Sequence, residues 1–564
     1  MFLYFLSYFY KQFVFINIMM KENNNFLKVV FYILFTGVFT FSQTEYFSEK
    51  NFRKNLFYLG SDVFEGRGTG SLGGYLAAKY LAYKFSEYGL LPAGDDGTFY
   101  QNIQFHSSFP LSGCDCRIFI DSLSYPLVLW DDYVMAETGE QTYIPESVKI
   151  IFAGYGIVAP EYDYNDYQYY DVENKIVVFL EGEPQSETPE YFNGRLPSVY
   201  SYNETKEKIA IARGAKGCIV LPNKNKQEFN WEKIKNVYSF EDINPAFNPA
   251  GNFNIILNPE KAELLFENCS YSYEDVLRME EFGALKSFPL HSKFSFKGIF
   301  HQKEVYSANI IGLLPGSDKE LKNTYVIVSA HYDHLGIGQA VNSDSIYNGV
   351  FDNAMGVSAV LELTRIISNS KYQPKRSVIF LLTTAEEKGL LGSLHYVKNP
   401  VFPLHKTIAN INIDGIASFD EFKSVIGVGA ELSGLGDILE TIAKNKNLKM
   451  AEIPPEFSSY EAFNKSDQVS FALAGIPSIL ILDAPDYVNI SREDALNKFI
   501  IYDKFVYHTP FDDLNLPINY KAVNQHFNLL YNFIIEIANS ENQPEWKEGT
   551  PYLNERLRTI AEKR

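Results

Sequence analysis

The sequence predicts an α/β protein, in which a mostly parallel or mixed central sheet is flanked by helices and interrupted early by a β-rich stretch. Three observations predict it. Past Ala308, apolar runs of five to seven residues alternate with helical stretches. Those runs are apolar throughout rather than at every second position, which is the pattern of strands buried on both faces. Between about Arg117 and Phe294 the texture is different, with short β-runs separated by turns.

Taken in order, residues 51–101 read as helical, with a glycine-rich segment at Glu65–Gly74 (EGRGTGSLGG) and a helix over Tyr75–Tyr88 that stops at Gly89. The β-rich stretch has runs at Val148–Ala153, Lys175–Leu180, Cys218–Leu221 and Asn254–Leu257. Next come a strand at Tyr325–Ala330, a helix at Ala354–Ser368, and strands at Ser377–Leu382, Ile408–Ile413 and Pro477–Leu482. In sheets of this kind ligand sites form at the C-terminal ends of the strands, so the residues behind each run matter most.

The bulk properties narrow the function. A chain of 564 residues, 46% hydrophobic and 21% charged, is long enough for more than one folded unit. A formal charge of -19 repels phosphate backbones and excludes nucleic acid as a partner. Four cysteines make no zinc-ribbon pattern and leave three full pairings, or free thiols, open. Near the start, Lys28 precedes the apolar run Val29–Phe41, which is too short for a comfortable membrane span and of the right length for a signal-peptide core. Thr40 and Ser42 place small residues at the -3 and -1 positions of a cut behind Ser42. The aromatic residues before Met20 fit a start at Met20; an uncleaved anchor is the rival reading.

The residues behind the apolar runs are polar and acidic. Tyr325–Ala330 leads into His331-Tyr332-Asp333-His334, and the next helix opens at Gly349-Val350-Phe351-Asp352-Asn353. Ser377–Leu382 leads into Thr384-Ala385-Glu386-Glu387, Ile408–Ile413 into Asp414, and Tyr507-His508-Thr509-Pro510 stands near the C-terminus. Singly, each has an ordinary explanation: a capped histidine, a helix-start acid, an Asx cap, a turn aspartate. Their joint occurrence in this order, nearly all at strand ends, does not. Imidazoles and carboxylates are zinc ligands where thiolates are absent. Two histidines and three carboxylates hold two zinc ions if one carboxylate bridges, and a spare carboxylate beside a ligand serves as general base. His334, His395 and His405 lack such company and read as structural or surface residues.

With these motifs the chain resembles the co-catalytic zinc exopeptidases that include bacterial leucyl aminopeptidases, yeast aminopeptidase Y and plasma glutamate carboxypeptidase. The resemblance rests on SANIIGLLPGS, VIVSAHYDHLG, YNGVFDNAMG, TTAEEKGLLGS, NINIDG, KSDQVSFALAGIPSI and YHTPFDDL in that order. Upstream, IFAGYGIVAPEYDYNDY, NKIVVFLEGEP and ARGAKGCIVLP resemble an inserted protease-associated domain. The resemblance implies a zinc-exopeptidase, phosphorylase/hydrolase-like fold. It implies that His331 and Asp414 bind one zinc, that Glu387 and His508 bind the other, and that Asp352 bridges them. It makes Asp333 a supporting partner of the metal site, Glu386 the general base and Tyr507 a hydrogen-bond donor to the developing oxyanion. It also implies a cis peptide between Asp352 and Asn353. Val350, Phe351, Met355, Gly415 and Gln468 depart from common family residues and put substrate preference in doubt.

The expected organisation is a signal peptide over 1–42, the first part of the peptidase over 43–119, the inserted domain over 120–295 and the catalytic domain over 296–564. The expected activity is that of an exported, periplasmic or extracellular aminopeptidase with two Zn2+ per chain, acting on peptides with a free N-terminus. Any membrane contact is through an uncleaved leader, and the protease-associated domain meets substrate or another protein. A carboxypeptidase or dipeptidase on the same site, a single-zinc glutaminyl cyclase, and a non-catalytic receptor-like protein are the alternatives.

Overall fold

The computed structural model describes residues 47–563, apart from 139–142, 187, 189, 193, 195–197, 227–228, 247–252, 455–456 and 458. The signal segment expected over 1–42 lies outside the described residues. All the elements of the fold belong to the compact unit that begins at Glu49.

Two helices open it, α1 (Glu49–Leu59) and α2 (Leu72–Glu87). Ser71 caps α2 by accepting the Gly74 N–H, as a serine ahead of a helix does. The main sheet is built from β1 (Tyr100–Pro110), β2 (Asp242–Pro245), β3 (Phe300–Leu314), β4 (Tyr325–His331), β5 (Ser377–Thr383), β6 (Thr407–Asn412), β7 (Ser424–Val428), β8 (Lys449–Met450) and β9 (Ser478–Asp483). Their order is β2-β1-β3-β5-β4-β6-β9-β7-β8, and Leu91–Pro92 adds a short tenth strand to β3.

The parallel part is the centre, where β5, β4, β6 and β9 run the same way. Strands β4, β5 and β6 are buried along almost their whole length, as their uninterrupted apolar sequences require. Helix α3 (Met355–Ser368) is apolar on nearly every side and is buried accordingly. The flanks are antiparallel. Strands β1 and β3 pair from Ile310↔Tyr100 to Phe300↔Pro110. The polar run His301-Gln302-Lys303-Glu304 within β3 hides this ribbon from a reading of apolar pattern.

A second sheet of eight strands occupies residues 115–297. Its centre is the parallel set Ile176–Leu180, Gly217–Leu221 and Phe253–Leu257, each strand buried at every residue. It has apolar cores of its own on both faces, one around Ile219, Ile255 and Phe294 and the other around Val177, Val220 and Ile256. Strand β2 comes from within this stretch yet joins the edge of the main sheet through β1. No helix among the described residues is long and apolar enough to cross a membrane.

Two helices complete the main layer, α4 (Arg492–Phe505) and α5 (Tyr520–Asn539). The composition of α4 makes it hard to foresee: only Ala495 is buried, so no apolar stripe marks it.

Candidate metal centre

Strands β5, β4 and β6 are neighbours with matched register, His331 opposite Thr383 and Ser329 opposite Asn412. The residues just beyond their C-terminal ends therefore share one edge of the sheet. His331 is the last residue of β4. Glu386 and Glu387 come behind β5 after Ala385, whose φ of 55° turns the chain back. Asp414 lies just behind β6. Asp352 enters from the turn ahead of α3, with a cis Asp352–Asn353 peptide, as expected. His508 arrives from the segment behind α4, with a left-handed φ of 57°.

The donors meet around Asp352. His331 Nε2 lies 3.2 Å from Asp352 Oδ1 and 3.3 Å from Asp414 Oδ1. His508 Nε2 lies 3.2 Å from Asp352 Oδ2 and 3.0 Å from Glu387 Oε2. The two oxygens of Asp352 thus face two different donor groups. His331, Glu386 and Glu387 also place one ligand atom each within 4.8 Å of the others.

The supporting contacts differ from the simple expectation in one respect. The Asp333 carboxylate accepts the Glu386 N–H at 3.1 Å and the Thr69 hydroxyl at 3.0 Å, while His331 Nδ1 lies 3.2 Å from the Asp333 main-chain oxygen. Asp333 therefore anchors the backbone under Glu386 as well as the His331 ring. Tyr507 is 40% exposed and its ring stacks on the His508 imidazole, with centroids 3.8 Å apart.

Several residues of the site are not singled out by the sequence. His334, expected to be structural or on the surface, is fully buried, with Nδ1 2.6 Å from Glu387 Oε1 and 3.8 Å from Asp352 Oδ2. Asp512 is fully buried and accepts the N–H groups of Phe351 and Asp352 at 2.9 and 3.0 Å. The Ser466 hydroxyl donates to Asp414 Oδ2 at 2.6 Å. His334 shares the motif HYDH with His331, which is the one signal that could mark it as a partner; Asp512 and Ser466 are recognisable only once the loops are folded together. His395 and His405 lie outside the donor groups. Gln468 is buried and bonds Asn412 and the carbonyls of Ala462 and Phe463, which is a packing role.

The electrostatics are those of a site short of positive charge. Burial alone would depress His508, but Glu387 and Asp352 outweigh it and raise it to about 10. His331 is likewise raised, against burial, by Glu386 and Asp414. Burial pushes Glu386 well above the ordinary carboxylate range, with Glu387, Asp414 and Asp467 adding to the rise. Burial lifts Asp333 to about 6. Buried carboxylates crowd together at such cost only where a cation offsets them.

His508 Nε2 supplies the test of fit. It is buried and close to two carboxylates, yet it hydrogen-bonds to neither, nor to any described group. A buried ring nitrogen left unpaired is costly, and one aimed at two carboxylate oxygens suits a shared cation. The donors are nitrogen and oxygen, the set zinc takes from proteins without thiolates. Residues 309–534 match the sequence profile of Peptidase family M28.

That segment is similar to peptidase family M28.

The matched segment contains all the donors that meet around Asp352. Among curated relatives, aminopeptidase YwaD of Bacillus subtilis is 26% identical over 242 residues, which is 42% of this chain and 46% of that protein. A vacuolar membrane protease of Phaeosphaeria nodorum is 34% identical over 97 residues, 17% of this chain and 9% of that protein. The chain thus spans less than half the length of these curated relatives. Among solved structures, an aminopeptidase from Aneurinibacillus sp. strain AM-1 shares the fold with a TM-score of 0.54 at 18% identity, over 88% of this chain and 95% of that one.

Proposed function

We propose that the protein is a two-zinc aminopeptidase that hydrolyses N-terminal amino acids from peptides. The observation that carries the proposal is the division of Asp352 between two donor groups, with His331 and Asp414 on one side and Glu387 and His508 on the other. In this reading the first group and Asp352 hold one zinc, and the second group and Asp352 hold the other. Bound there, the ions would polarise the scissile carbonyl and lower the pKa of a water.

The remaining steps belong to the chain's own residues. Glu386 takes a proton from the attacking water and passes it to the leaving amine. Asp333 holds the Glu386 backbone in place. Tyr507, stacked on His508, donates a hydrogen bond to the oxyanion as charge develops. The acidic wall around Glu386 and Asp414 receives the free α-amine of the substrate. The sheet over residues 115–297 is an inserted protease-associated domain that contacts substrate or a partner protein, and export accompanies cleavage behind Ser42.

A panel of peptides with free or blocked termini tests the activity. Release of the first residue from C-terminally blocked peptides, abolished by N-terminal acetylation, is expected. Cleavage that survives N-acetylation and requires a free C-terminus would replace the proposal with a carboxypeptidase. Full activity with a single zinc per chain, together with cyclisation of N-terminal glutamine, would replace it with a cyclase.

A further inference from the structure

The glycine-rich segment Glu65–Gly74 has no place in the proposed chemistry and lies more than two hundred residues ahead of the family segment. The fold nevertheless puts it directly beneath the donor loops. Arg67 is 1% exposed, and its guanidinium uses three nitrogens on four main-chain carbonyls. Nε donates to Tyr332 O at 2.8 Å, Nη1 to Leu59 O at 2.9 Å and Asn348 O at 2.6 Å, and Nη2 to Gly349 O at 2.7 Å. Tyr332 sits between His331 and Asp333. Asn348 and Gly349 begin the turn that delivers Asp352.

The same segment reaches the site twice more. The Thr69 hydroxyl donates to Asp333 Oδ2 at 3.0 Å, and the Arg67 carbonyl accepts the His334 N–H at 3.3 Å. A tight left-handed path makes this possible, with φ of 47° at Glu65, 66° at Gly66 and 53° at Arg67. A Cβ at Gly66 would lie 2.3 Å from Tyr347 O and 2.6 Å from Gly336 O, so only glycine lets the segment pass that close.

We infer that Arg67, with Thr69, is a positioning residue of the metal centre, which clamps the loop carrying His331 to the loop carrying Asp352 and so sets the affinity for zinc. The inference rests on the reading of the site as a two-zinc centre. Two effects act together. The planar fork fixes the spacing of the two loops at the base of the short antiparallel ladder between Gly336–Val341 and Asp344–Tyr347, on the side of the metal donors. Its charge also sits among Asp352, Asp512, Asp333 and Glu387, and although burial lowers the guanidinium to about 10 it remains a cation at neutral pH. A lysine supplies one point charge and cannot span the four acceptors.

A purely structural arginine is available for comparison. Arg376 is also fully buried and donates to Thr324 Oγ1 and to the carbonyls of Ser540 and Glu541, next to the N-terminal end of β5 and away from Glu386. The experiment compares the full-length wild type with Arg67→Lys, Thr69→Val and Arg376→Lys. Zinc affinity is measured by competition with a chromophoric chelator, and thermal unfolding is measured on the apo and zinc-loaded chains. Arg67→Lys is expected to weaken zinc binding by roughly 10–100-fold, the range for partners that orient metal ligands, and Thr69→Val to weaken it in the same direction. Arg376→Lys is expected to lower the apo melting temperature while leaving zinc affinity unchanged. If Arg67→Lys does not fold, Thr69→Val carries the test, and unaltered zinc affinity in that variant overturns the inference. If the wild type binds zinc and both Arg67→Lys and Thr69→Val match it, the clamp is structural only and the inference fails alone. If the wild type binds no zinc, the reading of the site fails and takes the inference with it.

Discussion

Glu386 and Glu387 are adjacent and chemically identical, yet they are expected to fail in different ways. Both oxygens of Glu387 face imidazole nitrogens, Oε1 at 2.6 Å from His334 Nδ1 and Oε2 at 3.0 Å from His508 Nε2. Glu387→Gln removes the charge and turns one of those oxygens into an NH2 facing a ring nitrogen. Partners outside the ligand sphere cost roughly 10–100-fold in metal affinity, so loss of a direct ligand should weaken one zinc by more than about 100-fold. Part of the lost activity should return at high zinc. Glu386→Gln keeps the volume of the side chain and leaves those donor contacts intact, but it removes the proton acceptor. The kcat should fall by about 10²–10⁴, or ~2.7–5.5 kcal/mol of barrier, with both zincs retained and KM little changed. The assay is zinc stoichiometry by elemental analysis alongside kcat and KM on a chromogenic aminoacyl substrate. Because His331, Glu386 and Glu387 also form a donor group, the two glutamates compete for the ligand role and the paired variants decide between them. Loss of a zinc from Glu386→Gln with both retained in Glu387→Gln reverses the roles, and full activity in both variants removes this site from the reaction.

A chelator should abolish activity and zinc should restore it at two ions per chain, and zinc at 100 times its Kd should add ~2.7 kcal/mol of stability per site by calorimetry. His334→Leu should weaken zinc binding by roughly 10–100-fold through loss of its contact with Glu387, whereas His395→Leu should not alter zinc affinity. Asp512→Ala should orphan the N–H groups of Phe351 and Asp352, at about 1–3 kcal/mol each in denaturant titrations, and Asp512→Asn should cost less. Ile255→Ala, in the core of the second sheet, should cost about 2–5 kcal/mol of stability and leave zinc stoichiometry at its wild-type value.

Much of the fold is legible because burial on two faces leaves a plain mark on a strand. Tyr325–His331, Ser377–Thr383 and Ser478–Asp483 fall within a residue or so of the apolar runs that predict them. The helix expected from Ala354 begins at Met355. The strand ends also point to His331, Glu386, Glu387 and Asp414, and the fold brings these together with Asp352 and His508. Elements without such a mark escape a reading of the sequence. The β1–β3 ribbon mixes polar and apolar residues, and α4 buries almost nothing.

Local sequence was enough to single out the side chains of the donor groups apart from His334, because donor type and position behind a strand are largely local properties. Long-range folding chose the residues that support them. His334 meets Glu387 across 53 residues, Asp512 meets Asp352 across 160, and Arg67 meets Tyr332 and Gly349 across 265 and 282. Such contacts leave no periodicity and need no particular spacing. Hydrogen bonds to main-chain carbonyls, like those of Arg67, also leave no trace in the identity of the residues they hold. They exist only because the parallel strands bring distant loops to one edge of the sheet, where a buried carboxylate or imidazole must find a partner in whatever segment lies beside it.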